Sequence, residues 1–279
     1  MPYAHANGAR LWYEFVGSGE PMVLLGGSGF GRHNVEPLIP FLAPHFTLLW
    51  FDQRGYGESE AVGLENATIE TWADDVPALM DAVGWEKAHI NSTSFGSMVA
   101  LSAAIRHPER CASLVIQGFF AKPDVTRKLM LEAWDDHSTA AGFTRGFVAH
   151  LGTDALQPAF LEEHPEAIDQ IKDMFRGTSL TTWHAAHTAM QALDLVDGLP
   201  GCPVPTLVIA GEHDWVTPLD MMRSGVGMRR TAELMPHARL VIFEGAGHVT
   251  ILERTKEQAE AILEFIGSLS PKPELSATT

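Results

Sequence analysis

Short, almost unbroken apolar runs recur along this chain and alternate with stretches of helical period. The runs fall at residues 9–16, 21–25, 46–51, 88–91, 112–117, 203–210 and 240–243. A strand wetted on one face alternates apolar and polar residues, whereas a strand covered on both faces reads as a continuous run. Between the runs, residues 68–83, 97–106 and 257–267 repeat apolar side chains at helical spacing. Thr68 stands where a helix N-cap belongs, and Pro77 marks a place for a kink. Gly17-Ser18-Gly19 reads as a turn between the first two runs. Strands of this kind alternating with helices imply an α/β fold: a mostly parallel sheet with helices on both faces.

Residues 124–198 break the rhythm. Helical periods occur at 125–140, 141–151, 165–175 and 180–193, with no convincing strand. The segment reads as a helical insertion between two strands of the sheet. The chain therefore divides into a first core part, 1–123, the insertion, 124–198, and a second core part, 199–270. A polar, proline-bearing tail, 271–279, is expected to be flexible. Trp134, Phe143, Phe147 and Trp183 of the insertion are candidates to line a substrate pocket. The competing reading is that each anchors the insertion to the core.

The length, 279 residues, and a hydrophobic content of 46% suit one large domain or a core with an insertion. A net charge of −16 argues against a nucleic-acid partner, which calls for basic patches. The two cysteines, Cys111 and Cys202, lie in no metal-binding or redox motif and read as small hydrophobes in a reducing compartment. The start, MPYAHANGARLWYEF, lacks the basic and apolar segments of a signal peptide, and no run is long enough to span a membrane. A cytoplasmic protein with a small-molecule substrate is expected, with no membrane partner; a homodimer is the one assembly considered.

The chemistry centres on the stretch HINSTSFGSMVAL, residues 89–101. Ser94 follows an expected strand and precedes an expected helix. A tight turn there lifts a nucleophile into the crevice at the carboxyl ends of the strands, with helical N–H groups facing developing negative charge. The usual pattern is G-x-S-x-G; here it is Ser92-Thr93-Ser94-Phe95-Gly96, with serine for the first glycine. Ser92 is the rival nucleophile, and a polar turn with capping serines is the non-catalytic alternative. A serine hydroxyl needs a base, and the base an orienting carboxylate. Asp214 lies in the loop after residues 203–210, and His248 in the glycine-rich loop after 240–243. Ser, Asp, His is the chain order of doubly wound hydrolases. Glu212 is an alternative orienting acid, and His213 with His248 an alternative metal pair without a third ligand at suitable spacing. Glu244 reads as a solvated residue. For an oxyanion hole, Phe95 supplies the natural first N–H, and Gly27 or Ser28 of Leu24-Leu-Gly-Gly-Ser-Gly29 the second. No metal-ligand spacing, phosphate loop or dinucleotide fingerprint occurs, so neither metal nor organic cofactor is expected.

These motifs give the chain, from Leu11 to about Phe265, a resemblance to the α/β-hydrolase superfamily. The marks are LLGGSG at 24–29, FDQRGYGES at 51–59, the Ser94 turn, HPER at 107–110, VPTLVIAGEHDWVTP at 204–218 and GAGH at 245–248. The resemblance implies an eight-stranded, mostly parallel sheet with helices on both faces. It makes the insertion a cap between the sixth and seventh strands. It also implies serine attack on an acyl carbon, histidine as base, and water resolving an acyl-enzyme. Residues 68–82, 107–110 and 180–218 look most like enol-lactonases that open 3-oxoadipate enol-lactone, and the GGSG and DQRGYGES runs resemble proline iminopeptidases. Many relatives carry His-Gly where this chain has Gly26-Gly27, so the hydrogen bonding of that loop must differ. Hydrolysis of a carboxylic ester or lactone is the leading expectation. Carbon–carbon hydrolysis of a vinylogous keto acid would need a cationic pocket, for which Arg127, Arg145 and Arg176 are candidates. An exopeptidase would need cap carboxylates, for which Glu162, Glu163 and Asp173 are candidates. A non-enzymatic binding protein is the alternative of a different class.

Overall fold

The computed structural model describes residues 3–269. Residues 271–279, expected to be flexible, lie outside them. Eight strands form one sheet: β1 (Tyr3–Ala6), β2 (Ala9–Gly17), β3 (Glu20–Leu25), β4 (Phe46–Phe51), β5 (Ala88–Thr93), β6 (Cys111–Gln117), β7 (Thr206–Gly211) and β8 (Ala238–Phe243). Their order is β1-β2-β4-β3-β5-β6-β7-β8. β2 runs antiparallel to β1 and β4, and every pairing from β4 through β8 is parallel. β1 has no counterpart among the apolar runs. It closes a hairpin with β2 through Asn7-Gly8, both at positive φ (46° and 74°). That dipeptide is the favoured two-residue hairpin turn because both its positions need left-handed backbone.

The helices follow as α1 (Ile39–Leu42), α2 (Ile69–Ala82), α3 (Phe95–Arg106), α4 (Val125–Ala141), α5 (Arg145–Ala155), α6 (Pro158–Glu163), α7 (Ala167–Met174), α8 (Leu180–Ala192), α9 (Met228–Leu234), α10 (Thr250–Glu253) and α11 (Thr255–Leu269). α2 begins after Thr68, whose backbone N–H donates to Thr71 Oγ1 at 3.1 Å, and its helical span runs unbroken through Pro77. The strand pleat divides the core in two. Val23 and Leu25 of β3 pack in one cluster with Met98 and Leu101 of α3 and Leu79 of α2. Met22 and Leu24, on the opposite face, pack with Leu38, Leu42, Ile262 and Phe265. Burying each such aliphatic or aromatic side chain is worth about 1.5–3 kcal/mol, which is why both faces of the central strands read as apolar.

Helices α4–α8 all fall between β6 and β7 and form the insertion over the carboxyl ends of the strands. The expected helix at 141–151 is displaced. Gly142 ends α4 at φ +66°, and α5 starts only at Arg145, capped by the Thr144 hydroxyl accepting from Phe147 N at 3.3 Å. α6 and α9 were not marked by the sequence periodicity; each is too short, six and seven residues, to show a full helical repeat.

Candidate active site

Ser94 sits between the last residue of β5 and the first of α3, at φ +53° and ψ −123°. Left-handed backbone at a side-chain-bearing residue costs on the order of 1–3 kcal/mol and persists only where its surroundings fix it. Here close packing fixes it. A Cβ on Gly96 would stand 2.5 Å from the Gly26 carbonyl oxygen, and one on Gly27 would stand 3.1 Å from Ser94 Cβ. Glycine at these positions lets the loop after β3 press against the turn. Ser92 points elsewhere. Its hydroxyl is buried and donates to the Val115 carbonyl at 2.9 Å, with Ser97 Oγ 3.2 Å away.

Asp214 lies three residues beyond β7 and His248 five beyond β8, and the fold brings both to Ser94. His248 Nε2 is 3.1 Å from Ser94 Oγ, and His248 Nδ1 is 2.9 Å from Asp214 Oδ2. The bond to the carboxylate puts the ring hydrogen on Nδ1 and leaves the Nε2 lone pair for the serine proton. Thr217 locks the acid: its N–H donates to Oδ1 and its hydroxyl to Oδ2, each at 2.7 Å. Gln117, at the end of β6, donates to the His248 carbonyl at 2.6 Å and accepts from Thr93 Oγ1 at 2.7 Å. Gly118, at φ +61°, packs on the imidazole: a Cβ there would meet His248 Cε1 at 2.9 Å. Burial pushes the Glu253 carboxyl above the ordinary range, against the lowering effect of the Gly247 N–H, which it accepts at 3.0 Å to hold the loop before His248. Neither Gln117 nor Thr217 was singled out from sequence.

The rival groups have other roles. Glu212 accepts from Gly245 N at 2.9 Å, and His213 is exposed. Glu244 is exposed. Among the described residues no group of three or more metal-binding side chains is assembled. The loop after β3 is held by two buried amides. Gln53 donates to the Gly26 carbonyl at 2.8 Å, and Asn34 Oδ1 accepts from Gly27 N at 3.2 Å. The bond to Asn34 engages the Gly27 N–H, which corrects the expectation that Gly27 offers it to an oxyanion. Ser28, the next residue, lies on the wall of the cavity beside Ser94. Phe95 heads α3, where a backbone N–H has no intrahelical acceptor.

A family profile described as alpha/beta hydrolase fold matches residues 20–255. The chain belongs to this family. It is 28% identical over 273 residues to a protein of Azorhizobium caulinodans provisionally named carbamate hydrolase RutD, covering 96% of this chain and 99% of that one. It is 26% identical over 275 residues to 2-hydroxymuconate semialdehyde hydrolase of a Pseudomonas species, covering 94% and 92%. The crystal structure of the enol-lactonase from Burkholderia xenovorans LB400 superposes with a TM-score of 0.84 at 27% identity, covering 95% of this chain and 100% of that one. The chain is thus an α/β hydrolase, with relatives of several hydrolytic specificities.

In this hydrolase the cap roofs a cavity of about 670 Å³, counting the part open to solvent. Ser94, His248 and Thr217 form part of its floor; Met130, Trp134, Phe175, Trp183 and Met190 form much of its roof. Trp134 and Trp183 line it. Phe143 and Phe147 do not. Phe147 is fully buried behind the wall, and both rings pack on Trp183, with centroids 5.6 Å and 5.8 Å away. They hold the roof rather than face a ligand. No Arg, Lys, Asp or Glu occurs among the described lining residues. Arg127 instead binds the carbonyls of Trp215 and Val216, Arg145 pairs with Asp169 at 2.7 Å, and Arg176 pairs with Asp173 at 2.6 Å. Glu162, Glu163 and Asp173 are exposed.

One polar side chain in the roof escaped the sequence analysis. His187 is 1% exposed and lines the cavity, with Nδ1 2.6 Å from Asp135 Oδ1. Burial pulls its pKa below the ordinary histidine value, against the raising effects of Asp135 and the Leu131 carbonyl. The i,i+4 pair Trp183 and His187 on α8 was the available signal.

Proposed function

We propose that this α/β hydrolase cleaves a small or medium carboxylic ester or lactone through an acyl-enzyme. The observation that carries the reading is the continuous hydrogen-bonded path from Ser94 Oγ through His248 to Asp214, opening on an uncharged cavity. Ser94 Oγ attacks the acyl carbon while His248 Nε2 takes its proton. The tetrahedral oxyanion is held by the N–H groups of Phe95 and Ser28. Collapse expels the alcohol, which takes the proton back from His248. In a lactone that alcohol stays tethered to the acyl group. Water, deprotonated by His248, then releases the acid and restores Ser94. Asp214 keeps the imidazole in the productive tautomer and stabilises its charged form. The residues of this path need no metal or organic cofactor, and a small molecule is the partner they serve. The buried, unpaired Cys111 and Cys202 accord with a cytoplasmic setting.

Carbon–carbon hydrolysis is the second reading, favoured by the similarity to 2-hydroxymuconate semialdehyde hydrolase. It is weakened by the lining: an anionic keto acid would enter a cavity with no cationic side chain among its described lining residues. The exposed positions of Glu162, Glu163 and Asp173 likewise give an exopeptidase no anchor for a substrate ammonium. The test is a panel of simple lactones, an enol-lactone, aryl esters, a vinylogous diketone acid and proline amides, ranked by kcat/KM. The expected leader is an ester or lactone. A dominant rate on the diketone acid replaces the reading with carbon–carbon hydrolysis, and one on a proline amide replaces it with exopeptidase action.

A further inference from the structure

The cap meets the catalytic base at the joint between α5 and α6. Ala155 ends α5, where a carbonyl has no intrahelical donor, and it accepts the His248 N–H at 2.8 Å. Gln157 stands at the N-cap of α6, yet its side chain makes no capping bond and instead donates through Nε2 to the His213 carbonyl at 3.3 Å. His213 adjoins Asp214, and its own N–H donates to the Ala246 carbonyl, in the loop of His248, at 2.8 Å. The joint therefore reaches both loops that carry the acid and the base. The same helix, α5, lends Leu151, Gly152 and Ala155 to the cavity wall.

Glu253, the last residue of α10, closes the joint from the core side. It is 8% exposed. Its Oε2 accepts from Gly247 N at 3.0 Å, and its Oε1 is buried with no hydrogen-bond partner among the described residues. A carboxylate kept from water without a cation is costly, and an apolar side chain would fill such a place at lower free energy if packing were the only task. What surrounds this one is the joint. A Cβ on Gly247 would stand 2.7 Å from the Ala155 carbonyl oxygen, 2.9 Å from Glu253 Oε1 and 3.3 Å from Gln157 Nε2. Glycine lets the chain pass between the carboxylate and the cap immediately before His248.

We propose that Glu253 and the α5–α6 joint together station the catalytic base, with Glu253 and Gln157 as positioning residues. Glu253 fixes the Gly247 peptide, and the next N–H, that of His248, is thereby presented to Ala155. Gln157 ties the loop of the acid to the same joint. The bond to Ala155 then sets where the imidazole stands relative to Ser94. In this arrangement the insertion contributes to turnover itself as well as to selection. The inference rests on the reading of His248 as the base for Ser94, and not on which ester or lactone is preferred.

The experiment sets Glu253→Ala beside Glu253→Gln. The first removes the acceptor for the Gly247 N–H, and the second keeps one. On an aryl ester, Glu253→Ala is expected to lose about 10- to 100-fold in kcat with KM changed by no more than about twofold, because a displaced base slows the chemistry without weakening the cavity. Glu253→Gln is expected to return kcat to within about threefold of the parent. The rate at which a small fluorophosphonate labels Ser94 should fall in step with kcat, since that reaction needs the base and does not fill the roof. Parent kcat in Glu253→Ala, a loss carried by KM, an unchanged labelling rate, or equal losses in both variants overturns the proposal. If Glu253→Ala fails to fold, Gln157→Ala, at a partly exposed position, decides. A loss of about three- to tenfold in kcat at unchanged KM is expected there, and parent values overturn the proposal. A parent protein that neither turns over esters nor labels at Ser94 would sink the reading of the site by itself. Hydrogen exchange then judges the joint: the His248 amide is expected to exchange at least about tenfold faster in the folded variant than in the parent, and equal rates overturn the proposal.

Discussion

The floor and the roof of the cavity are built on opposite plans. The floor is a set of polar side chains on loops just past β5, β7 and β8, held by further hydrogen bonds: Thr217 on Asp214, Gln117 at the end of β6 on the His248 carbonyl, Asn34 and Gln53 on the loop after β3. The roof is a set of apolar side chains on helices, held by ring packing among Phe143, Phe147, Phe175 and Trp183. The difference separates two tasks. Chemistry needs atoms fixed to within a fraction of an ångström, which directional bonds on a rigid sheet supply. Selection needs a shaped apolar surface, which cap helices can change without disturbing the strands.

If that division holds, substitutions in the floor abolish turnover for every substrate, and substitutions in the roof re-rank substrates. The largest effect is expected from Ser94→Ala, a loss in kcat on the order of 10⁵-fold or more with the melting temperature preserved. Asp214→Asn should follow, with a loss on the order of 10⁴-fold, since the imidazole then loses its tautomer and its compensating charge. Activity near that of the parent would move the orienting role to another carboxylate. Gly118→Ala tests the tightness of the floor. Its new methyl would stand 2.9 Å from His248 Cε1 on a left-handed backbone, and a loss of about 10²-fold in kcat is expected from the displaced ring. Unchanged kcat would show that the ring has slack.

The floor was legible in the sequence because its residues sit just past the ends of continuous apolar runs. Ser94, Asp214 and His248 each occupy such a place, and chain order relates them. What stayed hidden there was support: Gln117 ends a strand and Thr217 sits in a loop, with no motif to mark either. The roof was much less legible. Which face of a cap helix meets the cavity depends on where the helix begins, and the start of α5 was misjudged because Gly142 and Thr144 interrupt the period. Leu151 lines the cavity while Phe147, one turn earlier on α5, is buried behind it. Composition made both aromatic candidates equal; packing separated them. β1 escaped because four residues are too few to show a pattern, although Asn7-Gly8 marks its turn.

Roof substitutions should give smaller effects. Trp134→Ala is expected to change relative kcat/KM across the ester panel by about tenfold while the preferred bond type stays the same. A uniform loss, with a matching fall in melting temperature, would assign Trp134 to packing alone. The smallest effect concerns acid. The folded protein resists protonating buried His187, whereas the unfolded chain takes that proton at the ordinary value of 6.5. Its contribution to stability is therefore complete above that value and declines as pH falls below it. His187→Phe should lose less melting temperature than the parent on acidification from about pH 7 to 5. Parallel curves would contradict this.

The central claim is that Ser94 is the nucleophile, activated through His248. A fluorophosphonate probe followed by peptide mass spectrometry tests it most directly, because the reagent bonds only to a serine that an adjacent base has made reactive. The expected result is one modified serine, Ser94, with labelling lost in His248→Ala and turnover falling in proportion to labelling. Modification of Ser92 instead, or full turnover by a completely labelled protein, would contradict the account.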